Sequence, residues 1–173
     1  MKKVGKLFCK KCCRLLMIFT IIISGVSCSS TNKGAKSGEA KEDKSPKIYN
    51  IGDEIKVDDY KIVVNGIRTA TADSSGLLKA SEGNEYFLVN VTLENTSDKD
   101  KHVSSIMMFK VVDQNGKSYD QSIFTDAEGQ LDGTIAPTRK MTGEYCVEVP
   151  QGTTGLELEF EDLGSKPVIV KLN

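Results

Sequence analysis

The side chains able to do chemistry in this sequence are few, and their spacing excludes more than it suggests. His102 is the only histidine among 173 residues, and there is no tryptophan. It lies in the charged stretch Asp98-Lys-Asp-Lys-His102, with no serine or cysteine tied to it, so a hydrolytic triad lacks its base. We read His102 as a solvated turn residue. The cysteines are Cys9, Cys12, Cys13, Cys28 and Cys146. Cys9-x-x-Cys12 has the spacing of a metal or redox pair, but no second pair or nearby histidine completes a site. Carboxylates are plentiful. Asp126, Glu128 and Asp132 share one glycine-containing loop, a setting calcium prefers, although the EF-hand spacing is absent. They form a weak calcium candidate, and no cofactor is expected. Glycoside hydrolysis would need a pair of acids from the same abundance, and none is singled out.

The first 28 residues carry a different message. Lys2, Lys3, Lys6, Lys10, Lys11 and Arg14 come with no acidic residue, then an apolar run Leu15–Ile23, then Ser24-Gly-Val-Ser27 and Cys28. A cationic start, a short apolar run and a small-residue exit define a secretory signal over 1–27. Leu15 to Val26 is 12 residues, against roughly 20 for a membrane span. Ser24-Gly25-Val26-Ser27-Cys28 resembles the lipobox of bacterial lipoproteins, with Gly25 where leucine is usual. The resemblance implies a diacylglycerol thioether on Cys28 and cleavage just before it, with two acyl chains sufficient for stable anchoring. The competing reading is an ordinary signal peptide with an incidental cysteine. Either way Cys9, Cys12 and Cys13 leave with the signal; with Cys28 a thioether, Cys146 has no thiol partner. Six of the 23 basic residues also leave, so 17 face 24 acidic ones in the mature chain. That balance argues against nucleic acid as a partner.

Residues 28–47 read as lipidated cysteine and linker. Ser29 to Lys47 holds no large apolar side chain and cannot offset the entropy of ordering, so it should be disordered. A coil of this length averages roughly 25 Å end to end.

From Ile48 to Asn173 the apolar period is two. Tyr60, Ile62 and Val64 share one parity; Phe87, Val89, Val91 and Leu93 share another; Met141, Tyr145, Val147 and Val149 follow, then Leu156, Leu158 and Phe160 between Glu157, Glu159 and Glu161. The glutamate row faces out, for solubility and to guard a sheet edge. Cys146 has the opposite parity to Tyr145 and Val147 and should point away from the core, under a loop. Asn115-Gly116 marks a hairpin, because both residues tolerate positive φ. No stretch offers a helix start, stripe and stop. The fold class is all-β: an immunoglobulin-like β-sandwich of about seven or eight strands. Two long connections stand out, Ala70–Asn84 and Gln121–Pro137, and long loops on a rigid sandwich are where recognition concentrates. Phe124, Leu131 and Ile135 are the candidate interaction residues of the second.

Several segments together carry a family likeness: Ile51-Gly-Asp53, Tyr60-Lys-Ile-Val-Val-Asn-Gly-Ile67, Tyr86-Phe-Leu-Val-Asn-Val-Thr-Leu-Glu-Asn95, Phe109-Lys-Val-Val-Asp113, Gly133-Thr-Ile-Ala-Pro137 and Gly143-Glu-Tyr-Cys-Val-Glu-Val-Pro150. Their order and spacing resemble the DUF4352 family of bacterial lipoproteins. The resemblance implies an immunoglobulin-like, MPT63-like fold over 48–173 and brings no catalytic residue. Two positions depart from the pattern: Thr138, where glycine is common, and Val147, where a larger aromatic is common.

The expectation is therefore a non-enzymatic lipoprotein on the outer face of the cell membrane, presenting its domain to an unknown envelope protein or ligand. The alternatives are a carboxylate-dependent hydrolase of wall or extracellular polymer and a coat lipoprotein without specific ligand.

Overall fold

The computed structural model describes residues 47–162 and 164–173. The signal segment 1–27, Cys28 and the linker up to residue 46 lie outside the described residues.

Alternation becomes strand wherever one face can be buried. In chain order the elements are β1 (Ile48–Asn50), β2 (Ile55–Val57), β3 (Tyr60–Ala70), β4 (Asn84–Asn95), β5 (Lys101–Val103), α1 (Ser105–Met108), β6 (Phe109–Val112), β7 (Ser118–Tyr119), β8 (Gly133–Ile135), β9 (Lys140–Pro150), β10 (Glu157–Phe160) and β11 (Val168–Lys171). Sheet A has the order β1-β11-β10-β6-β7 and sheet B the order β2-β3-β4-β9, with β5-β8 as a separate ribbon. The parity sets read from the sequence meet between the sheets. Tyr60, Ile62, Val64, Val89, Val91, Leu93, Val147, Leu158 and Phe160 are all buried in one cluster. Tyr60, Phe109 and Phe160 meet at ring distances of 5.2–5.8 Å.

Four features differ from the sequence reading. The described residues hold eleven strands, because short pieces such as β1, β5, β7 and β8 add to the long ones. The run from Val103 is broken by the one-turn helix α1. Asn115-Gly116 does not form a two-residue hairpin. The connection spans Asp113 to Lys117, with only Gly116 at positive φ, +77°, and Asp113 Oδ1 accepts the amides of Asn115 and Lys117. Finally, β10 pairs with β11 on one side and β6 on the other, so Glu157 and Glu159 guard no edge. Glu159 instead lies across from Lys110, 3.7 Å away.

One edge of sheet B is β9, and the chain itself covers it. Ser122 donates its amide to the Cys146 carbonyl and Gln130 to that of Thr142, so the segment after β7 runs along the edge. The fit depends on two glycines. A Cβ at Gly129 would sit 2.2 Å from the Thr142 carbonyl oxygen, and one at Gly143 2.6 Å from the Gln130 backbone. Backbone on backbone leaves no room for either. Covering an edge in this way removes a template for pairing with other chains.

Candidate functional site

Most of the polar chemistry of the fold gathers on the outer face of sheet B, where the two long loops meet. β3 pairs regularly with β4 until a bulge between Val64 and Gly66. One extra residue reverses the facing of the rest of the strand. Arg68 and Ala70, opposite Leu88 and Tyr86, therefore lie on the outer face. There Tyr86, Leu88, Phe124 and Cys146 form a second buried cluster, with Ala70, Ala80 and Ala127 packed against it.

Arg68 and Glu144 fasten the roof of this cluster. The guanidinium donates from Nε to Glu144 Oε1 at 2.7 Å and from Nη2 to Oε2 at 2.6 Å, a two-pronged pair. Nη2 also donates to the Asp126 carbonyl at 2.8 Å, and the guanidinium sits 5.8 Å from the Phe124 ring centre. The Glu128 amide donates to Glu144 Oε2 at 2.8 Å. Burial pushes the Glu144 carboxyl up, but the Arg68 fork and the Glu128 amide outweigh it and hold it below the usual carboxylate range.

The loop 71–83 is locked to the same roof. Asp73 is buried and accepts from the Ser75 and Thr125 hydroxyls and from the Leu78 amide. Those donors, Ser75 foremost, hold its carboxyl low. Asp126 accepts both the amide and the hydroxyl of Ser74. Glu148 accepts from the Ser81 amide and Asn84 Nδ2, each at 2.9 Å, and is held low by them. What faces solvent is a shallow basin of about 490 Å³ lined by Ser74, Leu77, Leu78 and Thr125, with Leu77 86% exposed at its rim.

Some of the residues singled out in the sequence land elsewhere than expected, and others where their pattern put them. Phe124, Leu131 and Ile135 are buried, at 6%, 2% and 2% exposure, so they are anchors of the covering segment and offer no contact surface. Phe124 packs on the outer cluster while Leu131 and Ile135 pack in the main core, because the segment wraps the β9 edge and grips both sides. Asp126, Glu128 and Asp132 do not converge as calcium ligands. Asp126 binds Ser74, Asp132 binds the amide and hydroxyl of Ser105, and no group of three metal-ligating side chains exists among the described residues. His102 is exposed on β5 and contributes its carbonyl to the Tyr60 hydroxyl. Cys146 faces away from the main core, as its parity implies, and is 3% exposed under Phe124.

Sequence reasoning missed Arg68, Asp73 and Glu144. A signal existed in Tyr86-Phe-Leu-Val89, four apolar residues in a row, which require cover on both faces of β4.

A cleft of about 430 Å³ lies against sheet A, bounded by α1, Tyr119, Tyr145 and Pro167 with Asp120, Lys110, Glu159 and Glu161 around it. Beside it Ile106, Met107 and Ile123 are 75%, 64% and 84% exposed.

A family described as a domain of unknown function, DUF4352, matches residues 49–169. The uncharacterized protein YxkC of Bacillus subtilis is 31% identical over 142 residues, 73% of this chain and 76% of that protein. Among solved structures, a candidate lipoprotein of Bacillus subtilis, ycdA, aligns with TM-score 0.55 at 19% identity, covering 68% of this chain and 38% of that one. MPT63, a secreted protein of Mycobacterium tuberculosis, aligns with TM-score 0.55 at 13% identity, covering 74% and 98%. Both likenesses concern the fold.

Proposed function

The chain belongs to the DUF4352 family, and from that membership we propose that it is an exported, lipid-anchored envelope protein whose sandwich presents the locked loop pair 71–83 and 121–132 as a binding face. The observation that carries this reading is how the loops are fixed. Asp73, Asp126, Glu144 and Glu148 are spent on holding loop to loop and loop to sheet, and the surface they leave is shaped before any partner arrives. A preformed face binds without the cost of ordering its loops. The same carboxylates argue against hydrolysis: Asp73, Glu144 and Glu148 are held low, whereas a general acid needs its proton retained at neutral pH. The signal segment and lipobox-like Cys28 supply export and anchoring, a reading supported by a candidate lipoprotein and a secreted protein among chains of the same fold.

Two arms test it on intact cells. Cys28→Ala should leave unprocessed precursor and abolish labelling by a fatty-acid probe; continued labelling overturns the anchor. A photoreactive residue at Leu77 should give discrete adducts that vanish when Asp73→Ala frees the loop. No adduct at Leu77, or adducts equally strong from a probe at the sheet A position Glu157, would remove the binding face.

A further inference from the structure

The one-turn helix α1 holds two apolar side chains in the open. The amides of Met107 and Met108 both donate to the Ser104 carbonyl. Ser105 is pinned from below: its amide and hydroxyl each donate to the Asp132 carboxylate at 2.8 Å, and Gln121 Nε2 donates to the same hydroxyl at 3.0 Å. With Ser105 and Met108 buried, Ile106 and Met107 are turned to solvent. A surface turn has no folding use for two large apolar side chains, and with the exposed Ile123 they form a patch that calls for a cover.

Ile106 and Gln121 line two adjoining hollows. One is the cleft against sheet A; the other, of about 580 Å³, runs from Ile106 past Gln121 to Ile123 and Phe124. Charge along this groove is one-sided. In the first hollow Asp120, Glu159 and Glu161 stand against Lys110 alone. Lys110 lies 3.7 Å from Glu159, and Lys117 is turned onto the Tyr119 ring at 4.6 Å. No ion pair holds Asp120 or Glu161 among the described residues. In the second hollow Asp132 and Glu144 are engaged by Ser105 and Arg68, so that half offers apolar surface. An occupant that suits both halves carries positive charge beside large apolar side chains. A second copy of the chain suits them poorly, because residues 47–173 hold 13 basic and 21 acidic side chains and two copies repel.

We propose that the groove around α1 is a docking site for a partner-protein segment with lysine or arginine beside large apolar residues. The apolar side chains seat on Ile106, Met107 and Ile123, where the methionine adapts to their outline. The cations meet Asp120 and Glu161, which set register and speed encounter. The site shares the covering segment 121–132 with the binding face proposed above, but not the basin at Leu77, and it is independent of the lipid anchor.

The probe is a fluorescein-labelled peptide of alternating lysine and leucine, followed by anisotropy. It is titrated with the full chain in a non-ionic detergent and read against detergent alone. Saturable binding is expected, several-fold tighter than for the matching glutamate–leucine and lysine–serine peptides. Salt should weaken it, since the rim charges are exposed. Ile106→Ser with Met107→Ser should weaken binding several-fold. Asp120→Asn with Glu161→Gln should weaken it and flatten the salt dependence, whereas Glu157→Gln, on β10 outside the groove, should do neither. All four groove positions are exposed, and an unfolding midpoint matching the unsubstituted chain assigns any loss to the groove. The absence of saturable binding, equal affinity for the glutamate–leucine peptide, or binding unmoved by both double variants overturns the proposal. So does self-association in sedimentation that Ile106→Ser abolishes while the peptide stays unbound, since the occupant is then a second copy. Adducts at Leu77 are a separate readout, so failure at α1 leaves the basin standing.

Discussion

Thr138 adopts a conformation its side chain resists. Its φ is +63°, in the left-handed region that glycine favours and β-branched residues avoid. The turn is imposed from outside: the Thr138 amide donates to the Asn95 carbonyl, while the buried Asn95 side chain donates to the carbonyls of Lys99 and Ile135. The DUF4352 pattern often has glycine here. Thr138→Gly should remove strain of about 1–2 kcal/mol and give back part of it as backbone entropy, for a net gain of roughly 0.5–1 kcal/mol. A thermal melt with a raised midpoint is the expected result; a lowered one would mean the threonine side chain matters more than its backbone. Cys146 shows what parity can and cannot deliver. Alternation with Tyr145 and Val147 placed it away from the main core. Its near-complete burial depends on Phe124 from a distant loop, which no local period encodes. Burial pushes the thiol from 9.0 up to about 12, and the Tyr145 hydroxyl from 10.0 to about 12. Both groups keep protons that the unfolded chain releases first. Their contribution to stability is complete below pH 9 and falls as pH rises through 9–12. Cys146→Ala should flatten the part of that decline which starts near pH 9, measured by denaturant midpoints across the range. An unchanged alkaline slope would show that the thiol does not contribute to it.

The segment after β7 is the element whose role was least visible in advance. Its length and its three large apolar residues suggested a presented loop. The structure spends those residues on gripping both faces of sheet B around the β9 edge. Local sequence carries no mark of which side of a sheet a loop will cross, so burial of Phe124, Leu131 and Ile135 was not legible, nor was the divergence of Asp126, Glu128 and Asp132 from a shared calcium site. The short strands escaped notice for a simpler reason: two or three residues are too few to display a period. The glycines of the crossing make a sharp test. Gly143→Ala places a methyl group against the Gln130 backbone, which belongs to the crossing segment and cannot move without lifting it. We expect a loss of about 1–3 kcal/mol, the scale of overpacking. Cys146 should also react faster with a thiol reagent, because its roof is lifted. Full stability with a shielded thiol would show that the segment tolerates the methyl group.

At the scale of the whole molecule, the fold was the most legible property. Long alternating runs at β3, β4, β9 and β10 supply the main core, and the register that pairs them follows from burying one face. The functional face was far less so, because a sandwich hosts many activities and its loops decide among them. The loops are held by pairs distant in sequence, Arg68 with Glu144 and Asp73 with Thr125, and one of them depends on a bulge that reverses parity.

The parallel pairing of β1 with β11 has a mechanical meaning under the anchoring proposed for this domain. Tension on the preceding chain runs along the axis of β1. The three rungs from Ile48–Ile169 to Asn50–Lys171 are then strained together in shear, not opened one after another as at the end of a hairpin. β11 passes the load to β10, and β10 to β6, across the middle of sheet A. Load entering at β1 would thus meet the width of a sheet, with the first strand acting as a lap joint between the preceding chain and the core.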